Sequence, residues 1–341
     1  MTPERFRQIT ARYAELRVAV VGDFCLDRYL EIDPARQEIS IETGLPVHNV
    51  VRVRSQPGAA GTILNNLEAL GIGTLLPVGF CGDDGEGYEL LRALRGQRGV
   101  CLDFFTQTDE RRTFTYCKPL LMHGDRPPEE LSRLDSKNWS PTPADLQEKL
   151  IASLRAASAQ ADAIILMDQV DVAETGVVTS RLLEAVRALG SEGSRLLMLG
   201  DSRRGLRGWP PVCLKMNAAE LAAFAGAGEA LALEQVKQAA SKLARASGHP
   251  VFVTLAERGI VGAAPGVEAI HAPSLPLRGL IDVVGAGDAV TANLTAALAA
   301  GASVGEALEM AMGAASLVIH QLGTTGTASI AQMAGLLPWA E

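Results

Sequence analysis

The sequence predicts an α/β fold, a doubly wound and mostly parallel sheet flanked by helices, with a small β-sheet inserted into it. Three observations carry that expectation. Short apolar runs of strand length alternate with helical periods along most of the 341 residues. The runs have the character of buried strands, which in an alternating pattern argues for a parallel sheet covered by helices. The composition, 48% hydrophobic with 4% aromatic residues and 34 glycines, suits a large, well-covered core.

Strands are expected at residues 17–21, 74–80, 163–167, 195–199, 212–215 and 251–255. Helices are expected at 60–70, 86–94, 144–157, 174–189, 233–246, 287–300 and 304–321. In the first of these Ile63, Leu64, Leu67 and Leu70 share one face. Two stretches break the rhythm. Residues 30–55 mix Ile32, Ile39, Ile41, Val47, Val50, Val51 and Val53 with polar residues and prolines, and 101–121 alternate around Thr113-Phe-Thr-Tyr-Cys117. Both read as strands of a separate small sheet inserted into one domain that spans 1–341. Residues 122–130, with His-Gly-Asp-Arg-Pro-Pro, read as an exposed loop. The first sixteen residues are charged and helical in pattern rather than a signal peptide, and the apolar run 18–21 is far too short to span a bilayer.

The net charge of −8 argues against general binding to nucleic acid or anionic membrane, which needs a basic field. Cys25, Cys81, Cys101, Cys117 and Cys213 are widely spaced and odd in number. They read as small buried hydrophobes in a reducing cytoplasm rather than a zinc site or disulfide framework. The five histidines show no ligand spacing, and there is no GxxxxGK[ST] phosphate loop.

The chemistry-bearing stretch is Asp282-Val-Val-Gly-Ala-Gly-Asp288, followed by Val290, Leu294, Ala297 and Leu298 at helical spacing. Gly285 and Gly287 allow a tight turn that presents consecutive N–H groups at a helix start, where anions are favoured. Asp288 in that first turn could accept a proton from a hydroxyl attacking phosphorus, or could be an incidental first-turn Asp. The segment resembles the Asp-Thr-x-Gly-Ala-Gly-Asp signature of the PfkB/ribokinase family of carbohydrate kinases, with Val283 in place of Thr. That resemblance implies a ribokinase-like fold, ATP and Mg²⁺ as cofactors, Asp288 as catalytic base and the Gly285-Ala286-Gly287 backbone as anion hole. It also implies that the inserted sheet is a lid over the sugar and often a dimer clasp, so a homodimer through 30–55 and 101–121 is expected.

The same resemblance orders the remaining candidates. Asp23 and Asp27 follow the first strand, where open α/β sheets bind ligands, and an Asp at position 27 implies a sugar contact. In Pro57-Gly-Ala-Ala-Gly-Thr-Ile-Leu-Asn-Asn66, Gly58 and Ala59 stand where a Gly pair is expected and Thr62 where an Asn often meets the sugar. Asn66 matches the later Asn. Gly82-Asp-Asp-Gly85 reads as a turn and cap. Asn217 and Glu220, three apart at a helix start, are a polar capping pair or the family's Asn-x-x-Glu motif, which holds Mg²⁺ through water. Asp201 is expected to support that region. Thr254 and Gly259 resemble the nucleotide-side segment, with Ala256 for a usual Gly. Asp282 belongs to the nucleotide side too, where the resemblance allows a monovalent cation.

Kinship with heptose-phosphate kinases shows in Asp23-x-x-x-Asp-Arg-Tyr29, Glu42-x-x-x-Pro-Val47, Ser132-Arg-Leu-Asp135 and Gly323-x-x-Gly-Thr-Ala-Ser329. Residues 167–170 lack that branch's Asp-Tyr-Gly-Lys-Gly, and the chain has no room for the nucleotidyltransferase domain of its bifunctional forms. The expectation is a cytoplasmic ATP-dependent kinase of a sugar or sugar phosphate. A nucleoside or other small-alcohol kinase, and a non-catalytic sugar- or nucleotide-binding homologue, stand beside it.

Overall fold

The computed structural model describes residues 1–124, 126–191, 196–227 and 229–337. Along the chain the strands are β1 (Arg17–Gly22), β2 (Phe24–Ile32), β3 (Glu38–Ile39), β4 (Pro46–Val47), β5 (Val50–Ala59), β6 (Thr74–Gly82), β7 (Phe105–Thr108) and β8 (Thr115–Leu121). They continue with β9 (Glu129–Glu130), β10 (Ala163–Asp168), β11 (Leu197–Ser202), β12 (Cys213–Asn217), β13 (Val251–Thr254), β14 (Ile260–Ala263) and β15 (Ile270–Ala272). The helices are α1 (Pro3–Thr10), α2 (Ala60–Ala69), α3 (Gly85–Arg95), α4 (Ala144–Ser158) and α5 (Ser180–Ser191). After them come α6 (Ala218–Ala225), α7 (Leu233–Ser247), α8 (Ala286–Ala299), α9 (Val304–Val318) and α10 (Ile330–Ala334). Arg195 and Asp125, which fall in an expected strand and an expected loop, lie outside the described residues.

The main sheet runs β15-β14-β13-β12-β11-β10-β1-β6-β7. All pairings from β13 to β7 are parallel, and β14 and β15 add antiparallel turns at one edge. Val18, Ala19, Val20 and Val21 of β1 are all fully buried, because helices cover both faces. One core packs α1, α2, α3, α8, α9 and α10 on one face, and the other packs α4, α5 and α7 on the opposite face. The chain moves outward from β1 to β6 and β7, then returns to the other side at β10. That makes the β1/β10 boundary a topological switch point, and the crevice beyond such a boundary is where ligands bind in this class of sheet.

The second sheet runs β5-β2-β8-β9, and β2 enters it with a single residue between it and the C-terminal end of β1. Its extent differs from the expectation. Residues 105–108 pair in parallel with β6 and belong to the main sheet, so the inserted part of 101–121 begins only at Thr115. A four-residue run of β-formers cannot reveal which edge it will join. Residues 129–130 of the expected loop pair with β8 instead. The helix expected at 174 starts at Ser180. Glu174 has φ +65°, which no helix accommodates, and the Val177 N–H is taken by the Asp23 carboxylate.

Ala59 closes β5 and opens α2 with φ +53° and ψ −116°, a conformation natural to glycine. It occupies one of the two positions where a Gly pair is expected. Ala59→Gly should therefore stabilise the protein by about 1 kcal/mol net of glycine's entropy cost. A thermal melt should show Tm rising by about 2–4 °C. Among the described residues no helix is long and apolar enough to cross a membrane.

Candidate active site

The site grows from the start of α8. Gly285 is its N-cap residue, with φ +82°, and no side chain caps the turn. By contrast α3 is capped by Asp84, and α6, α9 and α10 carry capping boxes. The first N–H groups of a helix have no acceptor within it, so Gly287 and Asp288 present theirs outward, whereas Ala286 of the expected anion hole donates its N–H to Val283 O at 3.2 Å. A Cβ on Gly285 would lie 3.3 Å from Thr325, and one on Gly287 would lie 3.2 Å from Lys215 Nζ. The turn is thus closed in by Thr325 on one side and an ammonium on the other.

Lys215 and its partners form a buried network beneath that turn. Lys215 Nζ donates to Asp201 Oδ2 at 2.7 Å, and the Thr291 hydroxyl donates to the same oxygen at 2.9 Å. Burial alone would lower the Lys215 pKa, but Asp201 foremost, with Asp288 and Glu220, raises it above the usual value. Asp288, half-buried, is pushed up to about 7, first by burial and then by Asp201, with Lys215 opposing and Asp27 adding. A carboxylate in that range is poised to exchange a proton near neutrality.

The second sheet, the expected lid, carries Asp27 on β2. Asp27 is buried, and its carboxylate lies 3.7 Å from Lys118 Nζ on β8. Burial raises its pKa, with Lys118 and Arg133 working against that. A Cβ on Gly58 would come within 2.7 Å of Asp27 Oδ2, so the backbone approach there demands glycine. Gln56, the register partner of Asp27 on β5, receives a hydrogen bond from the Thr324 hydroxyl at 3.2 Å and donates to the Thr325 hydroxyl. That contact ties the lid to the segment packed against Gly285.

The sequence pattern predicts sugar-side roles for Asp23, Thr62 and Asn66, and the structure turns all three inward. Thr62 and Asn66 are 1% and 0% exposed, because their face of α2 packs on α8. Asn66 Nδ2 donates to Thr62 O at 2.9 Å and Gly326 O at 3.4 Å, joining α2 to the C-terminal loop. Asp23 is 4% exposed and accepts from the backbone N–H groups of Gln169, Val170 and Val177. Its pKa is raised to about 6 by burial and by Asp168, against the lowering effect of those three donors. Ala59 is held at the start of α2 with its backbone beside the lid.

On the side expected to take the nucleotide, Asn217 and Glu220 form a reciprocal capping box. Asn217 Oδ1 accepts from Glu220 N at 2.9 Å, and Glu220 Oε2 accepts from Asn217 N at 2.7 Å. The structural and the metal roles are compatible, since the second carboxylate oxygen of Glu220 takes no part in the box. Burial first, then Asp201, raises the Glu220 pKa, while the Asn217 N–H lowers it. Among the described residues no cluster of three or more His, Cys, Asp or Glu converges. A Mg²⁺ held here by one carboxylate would fit that ion's habit of keeping waters and phosphate oxygens in its shell. Thr254 sits opposite Asn217 in the β12–β13 register. Gly259, at φ +92°, lies where a Cβ would meet Ala272 O at 2.1 Å. Asp282 accepts from Val284 N at 3.0 Å and Gly323 N at 3.2 Å, bracing the turn before Gly285.

The sequence analysis assigns no role to Lys118, Gln56, Thr325 or Lys215. The ammonium two residues before Asn217 was a usable signal for Lys215. Nothing in local spacing points to the others.

Residues 200–331 match the family described as pfkB family carbohydrate kinase, a span that holds Asp201, Lys215, Asn217, Glu220 and Asp288. The chain is 31% identical over 323 residues to the bifunctional protein HldE of Gluconacetobacter diazotrophicus, covering 94% of this chain and 63% of that protein. It is 30% identical over 336 residues to the HldE of a Bradyrhizobium species, covering 98% and 66%. The chain therefore spans just under two thirds of the length of these relatives. Arabidopsis thaliana ribokinase, solved with ribose and ATP, has a TM-score of 0.67 at 22% identity over 95% of this chain and 99% of that one. Escherichia coli phosphofructokinase-2 with fructose-6-phosphate gives 0.70 at 17% identity over 94% and 98%. At such identities the structural likeness speaks to fold alone. The sequence match marks residues 200–331 as a pfkB family carbohydrate kinase domain, and the structural likeness gives the chain a ribokinase-like α/β fold.

Proposed function

We propose that this chain transfers the γ-phosphoryl group of ATP to a hydroxyl of a sugar or sugar phosphate. The observation that carries the reading is Asp288, a carboxyl raised to about 7 in the first turn of a helix whose N-terminus no side chain caps. The family match supports it, as do the ribose, ATP and fructose-6-phosphate held by the two structural relatives.

Asp27 orients the acceptor beneath the lid, and Asp288 takes the proton of the attacking hydroxyl. The N–H groups of Gly287 and Asp288, with the Lys215 ammonium beside them, receive the charge on the phosphoryl oxygens, where such preorganised donors are most effective. Glu220, steadied by Asn217, would hold Mg²⁺, which would supply countercharge to the phosphates of ATP. Gly58 lets the backbone close on Asp27, and Thr254, Gly259 and Asp282 shape the nucleotide side. Ile39, Ile41, Leu45, Val51 and Val53 are exposed on the lid and support a homodimer through it, which sedimentation tests.

ATP consumption by wild type and Asp288→Asn across sugars, sugar phosphates and nucleosides tests the reaction. Turnover of one sugar, lost in the variant, is expected, and turnover confined to nucleosides would reject the acceptor class. Glu220→Gln tests the metal side separately. Gln also completes a capping box, so Tm should hold, while the Mg²⁺ concentration for half-maximal rate should rise about tenfold. An unchanged Mg²⁺ requirement would remove Glu220 from that role.

A further inference from the structure

Asp23 is buried, ionisable and unused by the steps above. It follows β1 at the switch point beside β10. One carboxylate oxygen accepts from Gln169 N at 2.8 Å and Val170 N at 3.3 Å, and the other from Val177 N at 2.7 Å. Its own N–H donates to Met167 O at 3.1 Å, and its carbonyl accepts from Ala60 N at 3.0 Å. A Cβ on Gly176 would lie 2.3 Å from Asp23 Oδ1, so the loop passes as close as glycine allows. One residue therefore joins the ends of β1 and β10, the first residue of α2 and both ends of the loop 169–177.

That loop reaches outward to the lid. Asp171 is bonded by Lys137 at 2.7 Å and by Arg203, which follows β11 of the main sheet, at 3.0 Å. Lys137 lies over the ring of Tyr116 in β8, 5.8 Å from its centroid. Thr142 donates its N–H to Glu174 O and its hydroxyl to Gly176 O, both at 2.7 Å. Tyr116 is the register partner of Asp27, and Lys118, two residues on, faces the Asp27 carboxylate. Glu174 at φ +65° shows the loop held in a conformation that only such surrounding bonds maintain.

We propose that Asp23 is a positioning residue: it fixes the loop 169–177 as a strut between the main sheet and the β8 side of the lid, and so sets where Asp27 and Lys118 hold the acceptor. Its effect on turnover rests on the kinase reading, whereas its effect on the loop does not. Asp23→Asn replaces one acceptor oxygen by an NH₂ group that confronts a backbone N–H, so at least one of the three bonds is lost.

Two variants, Asp23→Asn and Asp171→Asn, decide the matter by steady-state kinetics and amide hydrogen exchange. For Asp23→Asn, the acceptor KM should rise about tenfold while kcat at saturating acceptor stays within about twofold, a misplacement effect rather than a loss of chemistry. Exchange should quicken both in 169–177 and in 115–121. The double variant should be no weaker than Asp23→Asn alone, because both changes act through one strut. An unchanged acceptor KM and unchanged exchange at 115–121 in folded Asp23→Asn would overturn the proposal, as would additive effects in the double variant. Should Asp23→Asn fail to fold, Asp171→Asn carries the test on an exposed side chain, and unchanged exchange at 115–121 would count against the strut. If wild type turns over no acceptor, the kinase reading fails, and the exchange data still decide the strut.

Discussion

Asp288→Asn is expected to lower kcat by about 10²–10⁴ with ATP affinity close to that of wild type. Asn keeps the shape of Asp but cannot take the proton. Because burial and Asp201 hold the carboxyl at about 7, wild-type kcat should climb with pH through that region and level off above it. The residual rate of the variant should lack that limb. Stability should move the other way. A carboxyl with a folded pKa above its unfolded value supports the fold while protonated. That contribution is complete below about pH 4 and is lost as pH rises through about 7. Asn never ionises, so the variant should melt above wild type at pH 8, and the gap should shrink steadily as pH falls towards 4. At about 1.36 kcal/mol per pKa unit the gap is bounded at about 4 kcal/mol, and partial exposure of Asp288 reduces it to about 1–3 kcal/mol. Melts at pH 4.5, 6 and 8 measure it. An inactive variant that is also less stable at pH 8 would mark Asp288 as structural.

Lys215→Met should cost about 3–5 kcal/mol, the usual penalty for leaving one buried charge without its partner. Among the described residues, Asp201 would then keep only the Thr291 hydroxyl as a side-chain donor. The same variant removes the cation that holds the Asp288 pKa down, so the pH limb of any remaining turnover should move to higher pH. Adding Asp201→Asn should restore most of the lost stability, because both charges are then gone, but should not restore turnover. Denaturant melts of the two singles and the double separate the parts. If the double is as unstable as Lys215→Met, packing rather than charge pairing governs this pair.

Legibility in the sequence followed the range of the interactions. Runs such as 17–21 and 163–167 form strands close to their expected bounds, since continuous burial on both faces needs only local apolar pattern. The Gly285-Ala286-Gly287-Asp288 turn forms where glycine punctuation places it, and Asn217 with Glu220 makes a cap readable from a spacing of three. The helix at 174 was misplaced for a non-local reason, the draw of Asp23 on Val177 across 154 positions. Asp23, Thr62 and Asn66 carry residue types suited to sugars, yet whether such a side chain faces a ligand or the protein is settled by what packs against it.

The sequence by itself determined the alternation that builds the sheet, the glycine-bounded helix start and the acid beside it. Each of these depends on backbone preferences and periodicity within a few residues. Only the tertiary structure decided the electrostatics and closure of the site. It set Lys215 against Gly287, bonded Lys215 to Asp201, placed Lys118 beside Asp27, and tied Gln56 to Thr325 across 269 positions. Charges act through space and through the water that packing excludes, so these effects existed only once distant segments had met.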